Sequence, residues 1–531
     1  MLSLKRALVK RNSGLTYLKK GRKFLFFRIP TVCLLALTLL YLEVGILKPH
    51  ERASYFQKCN FRQEESFRNR LRLSEQAMQS MVENRVTSPN QFWYAIEPTW
   101  SCVNERRIGT HGDGGKYICD IISLQSPEKE PCIIYSFGSA GQDDFERALA
   151  EITDCQIHIF DPTPHIKQDM ELRVQSYGAK FYSIGLGGSS HEINLKGEWE
   201  AVHRDNLKVM SLPELMDKLN HTKIDILKVD IEGSEFDALD TALDGCELDI
   251  DLILIEVHIV GTEALSKVFQ LITSFKECEY RMYHKEPNYQ GCHGTKCVEL
   301  AFTRSDCNSP FSKSMLKATH HMNVKSRKQF LKLRQKKTEI RNVNPRLFWD
   351  YYEPDTVCFS LERIGGLRPN GIYTCALPTN CHVLLYGDFE DLYDDFLNRC
   401  ESVELREIQP KSIKRIKNIE PGSMLAIRFH DKESPQFHVI RDITEQLRTS
   451  CSSLSFNLIS IEIHWDFVSK KEEQVAESVN YIHELFGALE SCNYAIYHKE
   501  PNLYTGRGHR YIMYSWILID LVIDDWEGLL H

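Results

Sequence analysis

Glycines and acids recur in this sequence where short apolar runs stop. CIIYSF, Cys132 to Phe137, stops at Gly138-Ser139-Ala140-Gly141. QIHIF stops at Asp161, KFYSI at Gly185-Leu186-Gly187-Gly188, and DILKV at Asp230-Ile231-Glu232-Gly233. LILIEVH carries Glu256 and ends on His258. Gly138 and Gly141 let backbone come close to a ligand. An acid placed like Asp161 can accept hydrogen bonds from both hydroxyls of a ribose. Asp230, Glu232 or His258 could take the proton that a hydroxyl nucleophile loses. Residue type does not choose among the three, and helix capping is the structural alternative for Asp230 and Glu232. A divalent metal on Asp230 and Glu232 finds no further ligand in the sequence, so none is expected. A lone Gly-x-x-Gly is a weak signal. The full GxGxxG fingerprint and a Walker loop are both absent.

Apolar runs that alternate with helix-period segments argue for a parallel α/β sheet. DDFERALAEI and EALSKVFQLITSF read as helices, and YRMYH with VELAF as a final strand pair. In such a sheet ligands sit beyond the carboxyl ends of the strands, near the switch in strand order. The glycines and acids above fall at those ends. A glycine pair after strand one, an acid after strand two and another after strand four together point to S-adenosylmethionine.

IYSFGSAGQDDFE, IFDPTP, LKVDIEGSEFDAL and GDGGKYICD resemble the FkbM-type class I S-adenosylmethionine-dependent methyltransferases, and within them a membrane-anchored methyltransferase-like branch. The resemblance covers 92–304. It implies a Rossmann-like sheet of seven strands with an antiparallel final hairpin, and methyl transfer, usually to oxygen. Gly138, Ser139 and Gly141 would line the methionine and ribose side. Asp161 would bind ribose, with Gly185 and Leu186 as further cofactor contacts. Asp230 and Glu232 would face donor and acceptor. The acceptor itself does not follow from the resemblance.

The chain repeats itself. FWYAIEPTWSCVNERRIGTHGDGGKYIC from Phe92 matches FWDYYEPDTVCFSLERIGGLRPNGIYTC from Phe348 at identical spacing, and YRMYHKEPN from Tyr280 matches YAIYHKEPN from Tyr494. Such ordered matches indicate tandem duplication. The second copy has Asp388 for Ser139, and Arg428, His430 and Asp431 near the places of Asp230, Glu232 and Gly233. It is expected not to hold the cofactor. Residues kept in both copies, such as His284, Lys285 and Glu286, then belong to folding more than to catalysis. The organisation read from the sequence is a basic tail over 1–28, a transmembrane signal anchor over 29–47, a stem over 48–90, a methyltransferase domain over 91–304, a basic linker over 305–346 and a degenerate domain over 347–531.

The apolar run Ile29 to Leu47 has nearly the ~20 residues that cross a bilayer. Nine basic residues and no acid precede it. A cleaved signal peptide is the rival, but no small-x-small site follows. The expectation is a single-pass type II protein of the Golgi or another secretory-pathway membrane, with a lumenal enzyme acting on a glycan or small-molecule hydroxyl. The sequon at Asn220 and the 17 cysteines suit that compartment. Cys102 with Cys119, and Cys358 with Cys375, recur at one spacing. Cys132 and Cys155 each lie six residues before the residue marking the end of a strand. They should therefore pair across neighbouring strands, as should Cys381 with Cys400. Cys292 and Cys297 could close a small loop. The net charge of −8 excludes a general nucleic-acid binder. Oligomeric state is open. The other readings are a type II glycosyltransferase, for which Asp249-Ile250-Asp251 is a DxD, and a non-catalytic binding protein.

Overall fold

The computed structural model describes residues 92–304 and 354–518, apart from stretches within each span, the longest being 194–206 and 407–423. The first span opens with a hairpin, β1 (Arg106–Ile108) and β2 (Lys116–Ile118). It continues through β3 (Ile133–Phe137), α1 (Asp144–Ile152), β4 (Gln156–Phe160), α2 (Lys167–Gln175) and β5 (Lys180–Tyr182). Three short strands follow, β6 (Gly185–Leu186), β7 (His191–Ile193) and β8 (Leu207–Met210). The span ends with α3 (Leu212–Leu219), β9 (Lys223–Val229), α4 (Glu235–Leu243), β10 (Asp249–His258), α5 (Thr262–Glu277), β11 (Tyr280–Asn288) and β12 (Gly294–Arg304).

Seven strands form one sheet in the order β11-β12-β10-β9-β3-β4-β5. β12 runs antiparallel between β10 and β11, and the other pairings are parallel. β3 and β9 lie mid-sheet and are buried on both faces, which is why their residues read as continuous apolar runs. Ile134, Ile226 and Leu254 pack one face, and Tyr135, Leu227 and Ile253 the other. From β3 the chain winds one way to β4 and β5, and from β9 the other way to β10. The crevice of a doubly wound sheet therefore opens above the β3–β9 pair.

Two expectations change here. The third strand is shorter than KFYSI. The Ile184 amide turns back to the Tyr182 carbonyl at 2.9 Å, and Gly185–Leu186 then pairs with β8 in a separate three-stranded sheet, order β6-β8-β7. The expected secretory-membrane localisation is also corrected. Among the described residues no helix is long and apolar enough to cross a membrane. The 29–47 segment, with the tail, stem and linker readings, lies outside the described residues.

The second span has the hairpin β13 (Leu361–Ile364) and β14 (Ile372–Cys375), then β15 (His382–Gly387), α6 (Glu390–Leu397), β16 (Ser402–Arg406), β17 (Met424–Arg428), α7 (Gln436–Thr449), β18 (Leu458–His464), α8 (Glu472–Ser491), β19 (Tyr494–Pro501) and β20 (Tyr511–Leu518). Its sheet order is β16-β15-β17-β18-β20-β19. That is the neighbour order β4-β3-β9-β10-β12-β11 of the first sheet, ending where β5 would begin.

Disulfides join Cys102–Cys119, Cys132–Cys155, Cys358–Cys375 and Cys381–Cys400, the pairs expected from spacing. Ile133 is opposite Gln156 in the β3–β4 register, which levels Cys132 with Cys155. Two further bridges were missed, Cys246–Cys278 and Cys451–Cys492. The signal was present, since Cys278 and Cys492 each stand two residues before the repeated tyrosine. Cys297 is disulfide-bonded, and Cys292 lies outside the described residues.

The two sheets meet through the edge strands that carry His-Lys-Glu-Pro. Lys285 Nζ lies 3.6 Å from Glu500 Oε1, and Lys499 Nζ lies 3.6 Å from Glu286 Oε1. The Trp93 indole donates to Glu500 at 3.2 Å, and Lys285 to the Trp93 carbonyl at 3.1 Å. Arg107 pairs with Glu286 at 2.6 Å. Burial alone would raise both carboxyls. Arg107 and Lys499 instead hold Glu286 at about 2, and Lys285 and His498 hold Glu500 at about 2. These depressed carboxyls stabilise the folded chain above 4.5, their ordinary value, and that contribution is lost as pH falls towards 2. Neighbouring Glu97, raised by burial, works in the opposite sense. Calorimetric melting midpoints should therefore fall steeply below pH 4.5 in the wild type and less steeply in Glu286→Gln and Glu500→Gln. Parallel acid limbs in all three proteins would show that these pairs do not hold the domains.

Candidate functional site

The glycine loop after β3 is fixed by a close backbone approach. Gly138 has φ +76, and a Cβ there would lie 1.6 Å from the Asp230 carbonyl oxygen. The Asp230 amide donates to Phe137 O at 3.1 Å, and Lys228 Nζ donates to Gly138 O at 2.7 Å. No side chain fits between these two loops. Gly141, at φ +84, is looser, with Ile166 Cγ2 at 3.4 Å from a Cβ built there.

Asp161 braces that loop from the next strand. Its Oδ2 accepts from the amides of Ser139 at 2.9 Å and Ala140 at 2.7 Å, and from Ser139 Oγ at 3.3 Å. Its Oδ1 accepts from Thr163 N at 2.9 Å. Asp161 is only 2% exposed. This refines the expected ribose contact, because the carboxylate is already engaged in shaping the loop. Gly138, Ser139, Gly141 and Asp161 are brought together. Gly185 packs on Pro162 and Val209, and Leu186 is in the apolar core. Their side-chain positions are thus taken by packing rather than presented to a ligand.

Asp230, Glu232 and His258 also converge. Glu232 Oε2 is 3.4 Å from His258 Nε2, and one ligand atom from each of the three lies within 4.8 Å of the others. Glu232 has φ 55, and its side chain is 86% exposed. Its turn is held by Glu235, a fully buried residue in the first turn of α4. Glu235 Oε1 accepts from the amides of Ile231 at 3.2 Å and Gly233 at 3.1 Å, and from His258 Nδ1 at 2.7 Å. Burial would lower His258, but Glu235, Glu256 and Glu232 outweigh it and push the imidazole up to about 9. His258 was one of three candidate bases. As it stands, it carries its proton at neutral pH.

Beneath Asp230 lies a charge cluster that sequence reasoning missed. Lys116, on β2, is buried against Glu299, with Glu256 Oε2 at 3.4 Å and Asp230 Oδ2 at 3.5 Å. Lys228 stands 4.0 Å from the same Asp230 oxygen. Asn288 links Glu256 to Asp113, at 3.0 Å each. Burial opposes the Lys116 charge, but Glu299, Asp230 and Glu256 raise its affinity for the proton. Burial likewise would raise Asp230, and Lys116 and Lys228 lower it. Lysines or glutamates inside otherwise apolar strands, as in DILKV and VELAF, were the available signal. Asp249 and Asp251, the DxD pair, lie at the opposite end of β10, where Asp251 pairs with Lys223 at 2.6 Å.

A parallel sheet with a glycine loop at its switch point and an acid after the neighbouring strand defines a methyltransferase-like α/β protein. Residues 50–304 match the family model described as a methyltransferase domain. The match makes the chain an S-adenosylmethionine-dependent methyltransferase. No curated protein sequence matches the chain. Solved structures similar to part of it include the fibrillarin pre-rRNA processing protein of Methanococcus jannaschii, at 8% identity and TM-score 0.23, covering 38% of this chain and 82% of that one. Another is the N-methyltransferase NodS from Bradyrhizobium japonicum, at 12% identity and TM-score 0.22, covering 35% and 92%. At such scores the likeness carries no weight for function.

Two stability predictions follow from this geometry. Gly141→Ala should cost about 1 kcal/mol, the ordinary penalty for a left-handed residue. Gly138→Ala should cost several times more in chemical denaturation, and equal losses would mean that the Asp230 carbonyl can retreat. Lys116→Met leaves the buried carboxylates without their cation. It should cost on the order of 3–5 kcal/mol, and a neutral result would show that Lys228 alone balances them.

Proposed function

We propose that the first domain transfers a methyl group from S-adenosylmethionine to a hydroxyl of a glycan or small-molecule acceptor. The supporting observation is the convergence of the Gly138–Gly141 loop, Asp161 and Asp230 at the carboxyl ends of three adjacent strands. The motifs DIEGSE and GDGGKYICD favour the FkbM-type branch, whose members usually methylate oxygen. Gly138, Ser139 and Gly141 would face the cofactor, with Asp161 holding the loop that receives it. A Cβ on Gly233 would meet nothing within 4 Å, so the Asp230–Gly233 turn borders open space. S-adenosylmethionine supplies a carbon activated by its sulfonium. The protein's part is to align the acceptor and take its proton. Glu232 suits the proton transfer because it is the exposed carboxylate of the group. Asp230 is committed to Lys116 and Lys228 and would orient the site.

The second domain reads as a degenerate tandem copy. Its strand neighbours repeat those of the first, and Arg428 stands at the position of Asp230. Its guanidinium donates to Asp388 O at 3.2 Å, lies 4.6 Å from the Phe389 ring and pairs with Glu462 at 3.5 Å. That arrangement buries a cation, 5% exposed, where the first domain has Asp230.

Calorimetric titration of S-adenosylmethionine into the whole protein should give one site per chain. Asp161→Ala should abolish that binding. Glu232→Gln should keep it and slow methyl transfer more than tenfold. Arg428→Ala should leave binding unchanged. Loss of binding in Arg428→Ala equal to that in Asp161→Ala would refute the division between domains.

A further inference from the structure

We infer that Asp230, Glu232 and His258 form a binding site for one divalent cation of the Mn²⁺ class at the mouth of the crevice. The sequence offered two carboxylates and no third ligand. The fold supplies His258, because β9 and β10 are parallel neighbours whose ends lie side by side. Its imidazole is 94% buried by the 6% exposure of its side chain. Nε2 points at the Glu232 carboxylate, while Nδ1 is anchored by Glu235 at 2.7 Å; a bound cation takes the place of the Nε2 proton that the surrounding acids favour without it. A histidine held at one nitrogen by a buried carboxylate, with the other nitrogen turned to an open group of acids, is the arrangement that orients imidazole on a metal. The three ligand atoms lie within 4.8 Å of one another, so a small shift of the exposed Glu232 side chain brings all three to bond lengths of about 2.0–2.2 Å around one ion. Two carboxylate oxygens and one imidazole nitrogen suit a borderline-hard divalent ion.

The two lysines nearby do not close the site. Both of their contacts with Asp230 are to Oδ2, so Oδ1 takes part in neither ion pair. Lys116 is shared among Glu299, Glu256 and Asp230. Glu235 and Glu256 add negative charge around the three ligands. The alternative grouping of Glu256 and His258 with Cys297 is excluded as a thiolate site, because Cys297 is in a disulfide. The second domain has lost the set, since Arg428 replaces the first ligand.

The consequence rests on the proposed methyl transfer: a bound cation would hold the acceptor oxygen beside Glu232 and ease loss of its proton. The site itself is tested without cofactor or acceptor. Mn²⁺ is titrated into the whole protein and free Mn²⁺ is read by electron paramagnetic resonance. One site per chain is expected. Glu232→Gln, at an exposed position that leaves folding intact, should weaken it at least tenfold, as should His258→Gln. Asp249→Asn, at the far end of β10, should not change it. A wild type that takes up no Mn²⁺, or a Glu232→Gln variant that binds it equally well, overturns the site. S-adenosylmethionine binding measured in chelator separates this failure from failure of the methyltransferase reading.

Discussion

The crevice depends on one buried ammonium. Lys116 comes from a two-stranded hairpin outside the main sheet, yet it reaches carboxylates on β10 and β12 and at the end of β9. A charge taken out of water persists only when opposite charge and hydrogen bonds surround it. Lys116 therefore ties the hairpin to the sheet and holds Asp230 in place. Asp230 in turn fixes the glycine loop, because its backbone leaves no room for a side chain at Gly138. Hairpin, strand ends and loop form one connected unit.

The second sheet carries a different charge arrangement at the corresponding positions. At the repeated positions Lys116 is matched by Ile372 and Asp230 by Arg428, while Glu462 is matched with Glu256. Met513 lies opposite Glu462 where Glu299 lies opposite Glu256. There the cation stands on the central strand and not on the hairpin, and only one of the three acids has a counterpart. One Arg428–Glu462 pair at 3.5 Å remains. The first cluster sets three carboxylates against Lys116 and Lys228, whereas the second pairs one carboxylate with one guanidinium and has no acid at the position of Asp230. The same strand order accommodates both charge arrangements, because sheet packing relies on the apolar faces and not on this cluster.

His284, Lys285 and Glu286 recur in the sequence as His498, Lys499 and Glu500. The structure places Lys285 and Glu286, with Glu500 and Lys499, in reciprocal pairs between the edge strands β11 and β19. An edge strand left bare would invite unwanted pairing. Here the edges are covered by the other domain, through charges arranged so that each strand answers the other.

Alternating apolar runs and helices determined the parallel sheet, and glycines and acids at run ends marked its carboxyl side. Equal offsets along β3 and β4 were enough to pair Cys132 with Cys155. These features are local, or depend on a periodicity that sequence displays directly. The partners of Lys116 are not local: Glu299 is 183 positions away and Glu256 is 140. Their meeting depends on β12 entering the sheet antiparallel beside β10, which no spacing in the chain announces. The same holds for Glu235, whose grip on His258 and on the Glu232 turn follows from α4 starting directly over the end of β10. Sequence determined which residues stand at strand ends. Tertiary structure decided which of them share a charge, because burial forces distant ionised groups to find one another.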